Sequence, residues 1–407
     1  MTTSPGLKRT LSLPLLVLYG LGTTIGAGIY ALIGEVASVA GMHTPIAFLI
    51  ASIMAGLTAF SFAELSSRFP FSAGEAHYVQ KAFGRRPLSV AVGLMVVFAG
   101  VVSAAAIVNA FVGYVHEFVD APRTIAIIGI VVLLGLIAAW GIAESVVAAG
   151  IVTLIEVGGL LLLIWVSGGE LGKLPAALPE ILPAAEWGSF SGIMAGAVLA
   201  FFAFIGFEDM VNVAEETKNP SKNLPLAIII TLAVTTLIYL IIGTISVLAV
   251  PLEQLAVHEA PLALIYENST GEPAYVLSAI AIIAVLNGAL VQIIMASRVL
   301  YGLGTQHLLP AMIADALATV NPITRTPLVA TALITGIILV LAMGFGLAGL
   351  AEATSLITLT IFSLVNGALI RIRLRDGKPA EGVSYPLAVP VLGLLVSLGF
   401  LVIGITG

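Results

Sequence analysis

The chain has 407 residues, of which 59% are hydrophobic and only 9% are charged. Soluble domains carry about 25% charged residues, so this composition excludes an ordinary soluble protein and indicates a polytopic membrane protein. The sequence contains no cysteine, which excludes disulfides, zinc–thiolate sites and iron–sulfur clusters. The net charge of −6 says little about topology, because membrane insertion follows the placement of Lys and Arg.

Eleven charge-poor stretches have about 18 residues or more, which is long enough to cross a bilayer. They cover residues 11–34, 44–63, 87–115, 124–143, 145–169, 187–207, 223–252, 273–297, 326–351, 353–370 and 383–407. The first stretch is longer than the roughly 7–15 apolar residues of a signal-peptide core. We therefore predict that it is retained as the first span.

The basic residues predict the orientation of the chain in the cell membrane. With the N-terminus placed in the cytoplasm, 14 of the 16 Lys and Arg residues fall in cytoplasmic loops, and only Arg123 and Lys173 fall outside. This asymmetry follows the positive-inside rule and supports the eleven-span map. An odd number of spans then puts the C-terminus on the extracellular side.

Two apolar stretches carry central glycines that favour an interrupted helix. Gly26 and Gly28 lie beside two threonines in the first stretch, and Gly206 precedes two acids in the sixth. Glycine in a helix is less favourable than alanine by about 1 kcal/mol, and lipid-exposed irregular backbone does not occur at membrane depth. Interrupted helices at the bilayer midplane hold the substrates of secondary transporters. Close packing between helices is the alternative interpretation.

The loop lengths suggest an internal repeat. Long connections follow the second and seventh stretches, over residues 65–86 and 253–272, on opposite sides of the membrane. Two five-span halves of inverted topology would give this arrangement. We predict one all-α transmembrane domain with a first repeat over residues 11–169, a second over 187–375 and an additional span over 383–407.

The interrupted helices suggest a ligand. Free N–H groups and the positive end of the helix dipole near Gly26 would attract an anion. Freed carbonyls near Phe202 would accept hydrogen bonds from an ammonium group. An anion site facing a cation site fits the head group of an α-amino acid and leaves its side chain unspecified.

Four segments resemble motifs of the amino acid–polyamine–organocation (APC) superfamily. They are residues 22–30, 63–70 with 72–74, 202–209 continuing through 215–220, and 296–301 with 308–310. The resemblance covers most of the chain, in order. It implies the LeuT-like five-plus-five inverted-repeat fold, whose members mostly have twelve spans, and amino-acid transport by alternating access. It also implies head-group contacts at Ile25, Gly26, Ala27, Gly28, Phe202, Ala203 and Ile205.

One charged residue, Glu156, lies at the centre of the fifth stretch. A charge at the bilayer centre costs about 2.5–3.5 kcal/mol on insertion scales, so such residues usually serve a function. We predict that Glu156 carries the coupling proton; a neutral, hydrogen-bonded structural acid is the alternative. Proton-coupled relatives have a lysine in a similar place, and either residue can carry a proton.

Other polar residues have more than one possible role. Glu208 could be a gate, a contact to the substrate ammonium or a cap of the inner half-helix. Glu64 and Arg68, one helical turn apart, could be a cytoplasmic gating pair or a plain local ion pair. Asn109 could line the pocket or bond a neighbouring helix. Interhelical bonding is the default interpretation for three further amides, Asn287, Gln292 and Asn366.

The sequence favours protons, or plain exchange, over sodium. Sodium coupling in this fold typically uses hydroxyls of the eighth span, and residues 279–296 contain no Ser or Thr. Sodium-coupled amino-acid transport and amine or polyamine transport remain alternatives, and a sensor or a channel is less favoured. We expect no enzymatic activity, metal, cofactor or nucleic-acid partner. The apolar third, eighth and tenth stretches hint at a neutral substrate side chain, whereas Glu208 could suit a cationic one.

Overall fold

The computed structural model describes residues 9, 11–26, 28–70, 74–140, 146–183, 187–305, 310–324, 326–379 and 382–406. These residues form α-helices and short 3-10 helices, and no strand is found among them. The α-helices are α1 Leu13–Ile25, α2 Gly28–Ala40, α3 Thr44–Arg68, α4 Gly74–Phe83, α5 Arg86–His116, α6 Arg123–Trp140, α7 Val146–Ser167, α8 Leu174–Ile181, α9 Trp187–Phe201, α10 Pro220–Ala249, α11 Leu252–Leu255, α12 Pro261–Thr270, α13 Tyr275–Thr305, α14 Ala311–Leu317, α15 Leu328–Gly344, α16 Leu347–Asp376 and α17 Ala388–Thr406. The 3-10 helices are Gly41–His43, Gly168–Lys173, Phe202–Phe204 and Phe207–Glu216.

The long helices coincide with the predicted apolar stretches. By length and composition, nine helical runs in the described part of the chain could cross a membrane. One of these runs, Leu13–Arg68, contains α1, α2 and α3, and α15 is a shorter apolar helix. The protein is therefore a polytopic α-helical membrane protein, and the count of eleven spans stays a prediction.

The first and sixth spans are interrupted where the glycines predict it. Helix α1 ends at Ile25, Gly26 has φ 22°, and α2 begins at Gly28. In the sixth span, Ile205 is extended and Gly206 has φ 123° before the 3-10 helix Phe207–Glu216 begins. Glycine adopts positive φ without steric penalty, so both turns depend on this residue type.

The two interruptions lie against each other. A Cβ atom added at Gly28 would lie 2.6 Å from the Cα atom of Ala203. A Cβ atom added at Gly206 would overlap the carbonyl oxygen of Thr23, and the Thr23 hydroxyl donates a 3.0 Å hydrogen bond to the Gly206 carbonyl. Glycine therefore allows the backbones of spans one and six to touch at the centre of the protein.

Both long connections contain a ten-residue helix that the sequence did not predict. Helix α4 follows α3 and packs against α5 and α16. Helix α12 lies between α10 and α13 in the chain and packs against α2, α7 and α13. The inverted repeat itself stays a prediction, and a helix in each corresponding connection agrees with it.

The segment before α1 is joined to the end of the sixth span. The Leu11 N–H donates to the Glu216 carbonyl at 3.0 Å, and the Lys218 N–H donates to the Leu11 carbonyl at 2.9 Å. These two backbone bonds hold Leu11 beside Thr217. The start of the first span and the end of the sixth are thereby connected.

Candidate functional site

A cavity lies at the two interruptions. Its walls come from the first and sixth spans together with α5, α7 and α13. The polar residues that line it are Tyr19, Thr23, Thr24, Ser103, Thr153, Asn287 and Gln292. We call this space the central cavity.

Four of the residues predicted to hold the substrate head group line the central cavity: Gly26, Gly28, Phe202 and Ile205. Ile25 is fully buried, and Ala203 packs against Gly28. Ala27 lies outside the described residues. The head-group role of all of these residues stays a prediction.

The N-terminal end of α2 and the C-terminal end of α9 meet at the central cavity. Helix α2 begins at Gly28 on the cavity wall, and the first N–H groups of a helix have no partner within it. Helix α9 ends at Phe201, just before Phe202. The Tyr239 hydroxyl lies 3.2 Å from the Thr24 carbonyl oxygen and 2.9 Å from that of Ala203, so its single hydrogen can bond either one and link the two interruptions. A carbonyl oxygen can accept a second hydrogen bond.

Glu156 lies directly behind the wall of the central cavity. Its side chain is fully buried, and the Asn287 amide donates a 3.2 Å hydrogen bond to its Oε1 atom. The Tyr30 hydroxyl donates to the Glu156 backbone carbonyl at 2.7 Å. Because Asn287 also lines the cavity, it connects the carboxyl group to the space in which a ligand would lie.

A second cavity adjoins the first and shares Ser103, Ile205 and Gln292 with it. Three carboxyl-bearing residues line it: Glu208 and Asp209 of the sixth span, and Glu75 of α4. The Glu208 Oε2 atom accepts the Gly206 N–H at 2.9 Å, just before the 3-10 helix Phe207–Glu216. We call this space the acidic chamber.

Glu75 was not among the site residues predicted from the sequence. This residue shares a buried helical stripe with Tyr78, Val79 and Ala82. The spacing i, i+3, i+4, i+7 marks the inward face of an amphipathic helix. That stripe is the signal that could have identified Glu75 as a buried acid.

Comparison with known proteins identifies the family of the chain. The family model described as "Amino acid permease" matches residues 16–406, nearly the whole chain. The chain belongs to the amino acid permease family. This assignment agrees with the APC resemblance of the sequence motifs.

Three relatives of the permease differ in the substrates that their names state. It is 31% identical to "Cationic amino acid transporter 4, vacuolar" of Arabidopsis thaliana, over 94% of this chain and 66% of the relative. The chain is also 28% identical to "Branched-chain amino acid permease BcaP" of Bacillus subtilis, over 95% of this chain and 85% of the relative. It is 28% identical to "Methylthioribose transporter" of the same organism, over 98% of this chain and 89% of the relative. The chain spans slightly less than two thirds of the plant relative. The amino acid permeases and transporters among the relatives support amino-acid transport.

Glu64 and Arg68 of the permease belong to a larger buried network. Arg68 pairs with Glu64 at 2.7 Å, and Arg373 pairs with the same carboxylate oxygen at 3.1 Å. The Tyr385 N–H donates to the other carboxylate oxygen at 3.1 Å. Arg373 also donates to the Ser384 hydroxyl. The network joins α3 to α16 and the segment before α17, so the pair is more than a local contact.

Asn109 of the permease lies outside the walls of both cavities. Arg123 donates to its side-chain oxygen at 2.6 Å, and its amide donates to the Phe345 carbonyl at 3.2 Å. Arg123 and His116 contact Glu259 at 3.4 and 2.8 Å. Asn109 thus connects α5 to α6 and to the turn before α16, and its predicted contact with substrate stays untested.

The remaining buried amides separate into two groups. The Ser61 hydroxyl donates to Asn366 at 2.6 Å, and Asn366 donates to the Thr58 hydroxyl at 2.9 Å. This bonding between α3 and α16 is the interhelical role predicted for Asn366. Asn287 bonds Glu156 between α13 and α7 and also lines the central cavity, as does Gln292, so both can face a ligand.

Proposed function

We propose that the protein is a secondary active carrier that moves amino acids across the cell membrane by alternating access. The observation that carries this proposal is the contact between Gly28 and Ala203. It brings the start of α2 and the end of α9 to one central cavity. Membership of the amino acid permease family supports the same function.

The substrate carboxylate binds at the start of α2, beside Gly26 and Gly28. There the N–H groups of the first turn and the positive end of the helix dipole favour an anion. The substrate ammonium binds at the carbonyls of residues 202–205, where the sixth span leaves helical geometry. Discontinuous helices hold charged groups of substrates in this way in secondary transporters.

Glu156 carries the coupling proton in this proposal. Its carboxyl group is buried and connected to the central cavity through Asn287. Intramembrane acids mark proton pathways in transporters. The lack of Ser and Thr over residues 279–296 of α13 favours proton symport or exchange over sodium coupling. The buried Glu64–Arg68–Arg373 network serves as the gate on the predicted cytoplasmic side.

Counterflow in proteoliposomes tests whether the protein acts as a carrier. Vesicles loaded with an unlabelled mixture of amino acids should transiently accumulate external labelled amino acid above its equilibrium level. A channel gives no such overshoot. Vesicles containing Gly28→Leu protein provide the matched control, because the new side chain fills the site without touching the outer surface. Equilibration without overshoot for every common amino acid would contradict the proposal.

A further inference from the structure

Three carboxyl groups line the acidic chamber, and no basic residue is among the described residues that line it. Glu75, Glu208 and Asp209 are 4%, 8% and 8% exposed, and all three line the same space. No ion pair within the described parts of the chain involves them. Buried carboxyl groups normally pair with a cation or keep a proton, so a bound cation could take the place of protons in this group.

Two hydroxyl groups in the chamber wall have no hydrogen-bond partner among the described residues. Ser103 and Thr358 are 6% and 3% exposed and line the chamber, and neither side chain makes a hydrogen bond to any described residue. By contrast, Thr354 and Thr360 of the same helix as Thr358 each bond the carbonyl four residues earlier, both at 2.9 Å. The Thr358 hydroxyl therefore remains available to the chamber, as does Ser103.

An amide oxygen completes this set of acceptors. The Gln292 Oε1 atom is buried without a hydrogen-bond partner in the described structure, and Gln292 lines both cavities. Buried polar groups left without partners destabilise a protein. Carboxylates, hydroxyls and an amide oxygen all accept hydrogen bonds. Together these acceptors favour a ligand with several hydrogen-bond donors.

The chamber is contiguous with the site proposed for the amino-acid head group. Ser103, Ile205 and Gln292 form walls of both spaces. A substrate held by its head group in the central cavity can therefore extend its side chain past them. No cluster of three acids or histidines with metal-binding geometry occurs among the described residues, so an extended organic cation fits better than a metal ion.

We propose that the acidic chamber binds the cationic side chain of a dibasic amino acid, with the guanidinium group of arginine as the best fit. A guanidinium group brings one positive charge and five donors in a planar fork. It would neutralise one carboxylate and supply hydrogen bonds to Ser103, Thr358 and Gln292. This inference rests on the proposed carrier function. We therefore expect a substrate with a cationic side chain, in place of the neutral side chain that the apolar spans suggested.

Arginine and citrulline provide the deciding comparison, because citrulline has nearly the same shape without the charge. Binding of each to the purified protein is measured by calorimetry, and counterflow of each is measured in proteoliposomes. Arginine should bind at least about tenfold more tightly, because hydrogen bonds to charged groups contribute about 1.5–3 kcal/mol. Glu75→Gln should lower arginine affinity about tenfold and leave citrulline affinity unchanged. Glu272→Gln, at an exposed acid, is the matched control and should change neither.

The outcomes separate the two proposals. Equal affinity for arginine and citrulline in the unmodified protein would overturn the cationic subsite and leave the carrier intact. Counterflow of no amino acid at all would overturn the carrier function. If Glu75→Gln does not fold, Thr358→Val replaces it, since this change removes one acceptor and keeps the side-chain shape. Unchanged arginine preference in a folded Glu75→Gln protein would also overturn the subsite.

Discussion

Asn287 on α13 donates a 3.2 Å hydrogen bond to Oε1 of Glu156 on α7. An amide N–H can donate to a carboxyl oxygen whether the acid is ionised or carries its proton. The contact can therefore persist through a protonation cycle. Because Asn287 lines the central cavity, a single side chain connects Glu156 to the space in which we propose that the substrate binds.

Glu156→Gln should remove the pH dependence of uptake. The amide of Gln keeps the size of the carboxyl group and cannot release a proton, so proton-driven accumulation is lost while exchange between two substrate pools continues. Uptake and counterflow measured from pH 5 to pH 8 test this prediction. Glu180→Gln, at an exposed acid on α8, should retain the wild-type profile. A wild-type profile in Glu156→Gln would exclude the proton-carrier role.

Gly28→Ala should weaken substrate binding at least about tenfold. The added methyl group would lie 2.6 Å from the Cα atom of Ala203, so the first and sixth spans must separate at the binding site. Gly336→Ala in α15 is a suitable control, because a Cβ atom there meets no other atom within 4 Å. Binding is measured by calorimetry on both purified variants. Undiminished binding in Gly28→Ala would contradict the head-group site.

Glu64→Gln should destabilise the protein. The change leaves Arg68 and Arg373 buried around a site that has lost its negative charge. Removing one partner of a buried ion pair costs roughly 3–5 kcal/mol, so the unfolding temperature should fall markedly. Asp376→Asn breaks an exposed pair with Arg375 and should leave that temperature unchanged. Equal unfolding temperatures for wild type and Glu64→Gln would show that the network contributes little to stability.

Glu75 should make the protein less stable as the pH rises. Burial, aided by the nearby charge of Asp209, raises the pKa of Glu75 from 4.5 to about 7. Between these values the folded state keeps a proton that the unfolded chain releases, so folding stability falls from pH 4.5 to pH 7. Unfolding temperatures measured across this range should decline less steeply in Glu75→Gln than in wild type. Parallel curves would contradict the raised pKa.

Replacing sodium by choline should leave uptake unchanged. Over residues 279–296, α13 offers no hydroxyl side chain that could coordinate sodium. Uptake into sodium-free vesicles with an imposed proton gradient measures the effect. A sharp fall in uptake without sodium would show that the coupling ion was assigned wrongly.

The interruptions of the first and sixth spans could be predicted because they depend on local sequence. Gly26 and Gly206 stand inside apolar runs that would otherwise form continuous helices, and both adopt positive φ. The same runs predict the long helices and the membrane location. Periodicity and glycine placement act over a few residues, so one sequence is sufficient to detect them.

The acidic chamber could not be predicted in this way, because tertiary packing assembles it from distant parts of the chain. Glu75 lies in a connection that was taken for a loop, and Ser103 is one small polar residue in an apolar helix. Their approach to Asp209 depends on how α4 and α5 pack around the sixth span. Asn109 shows the same limit, since its partner Arg123 was assigned only to a loop.

The backbone bonds of Leu11 to Glu216 and Lys218 have a kinetic consequence. Because of these bonds, the beginning of the first span and the end of the sixth move as one unit. If the carrier opens at this end, neither segment can swing away alone without breaking both bonds. Release of substrate on that side then passes over one shared barrier, and a substitution that loosens this junction would change the rate of turnover without touching the substrate.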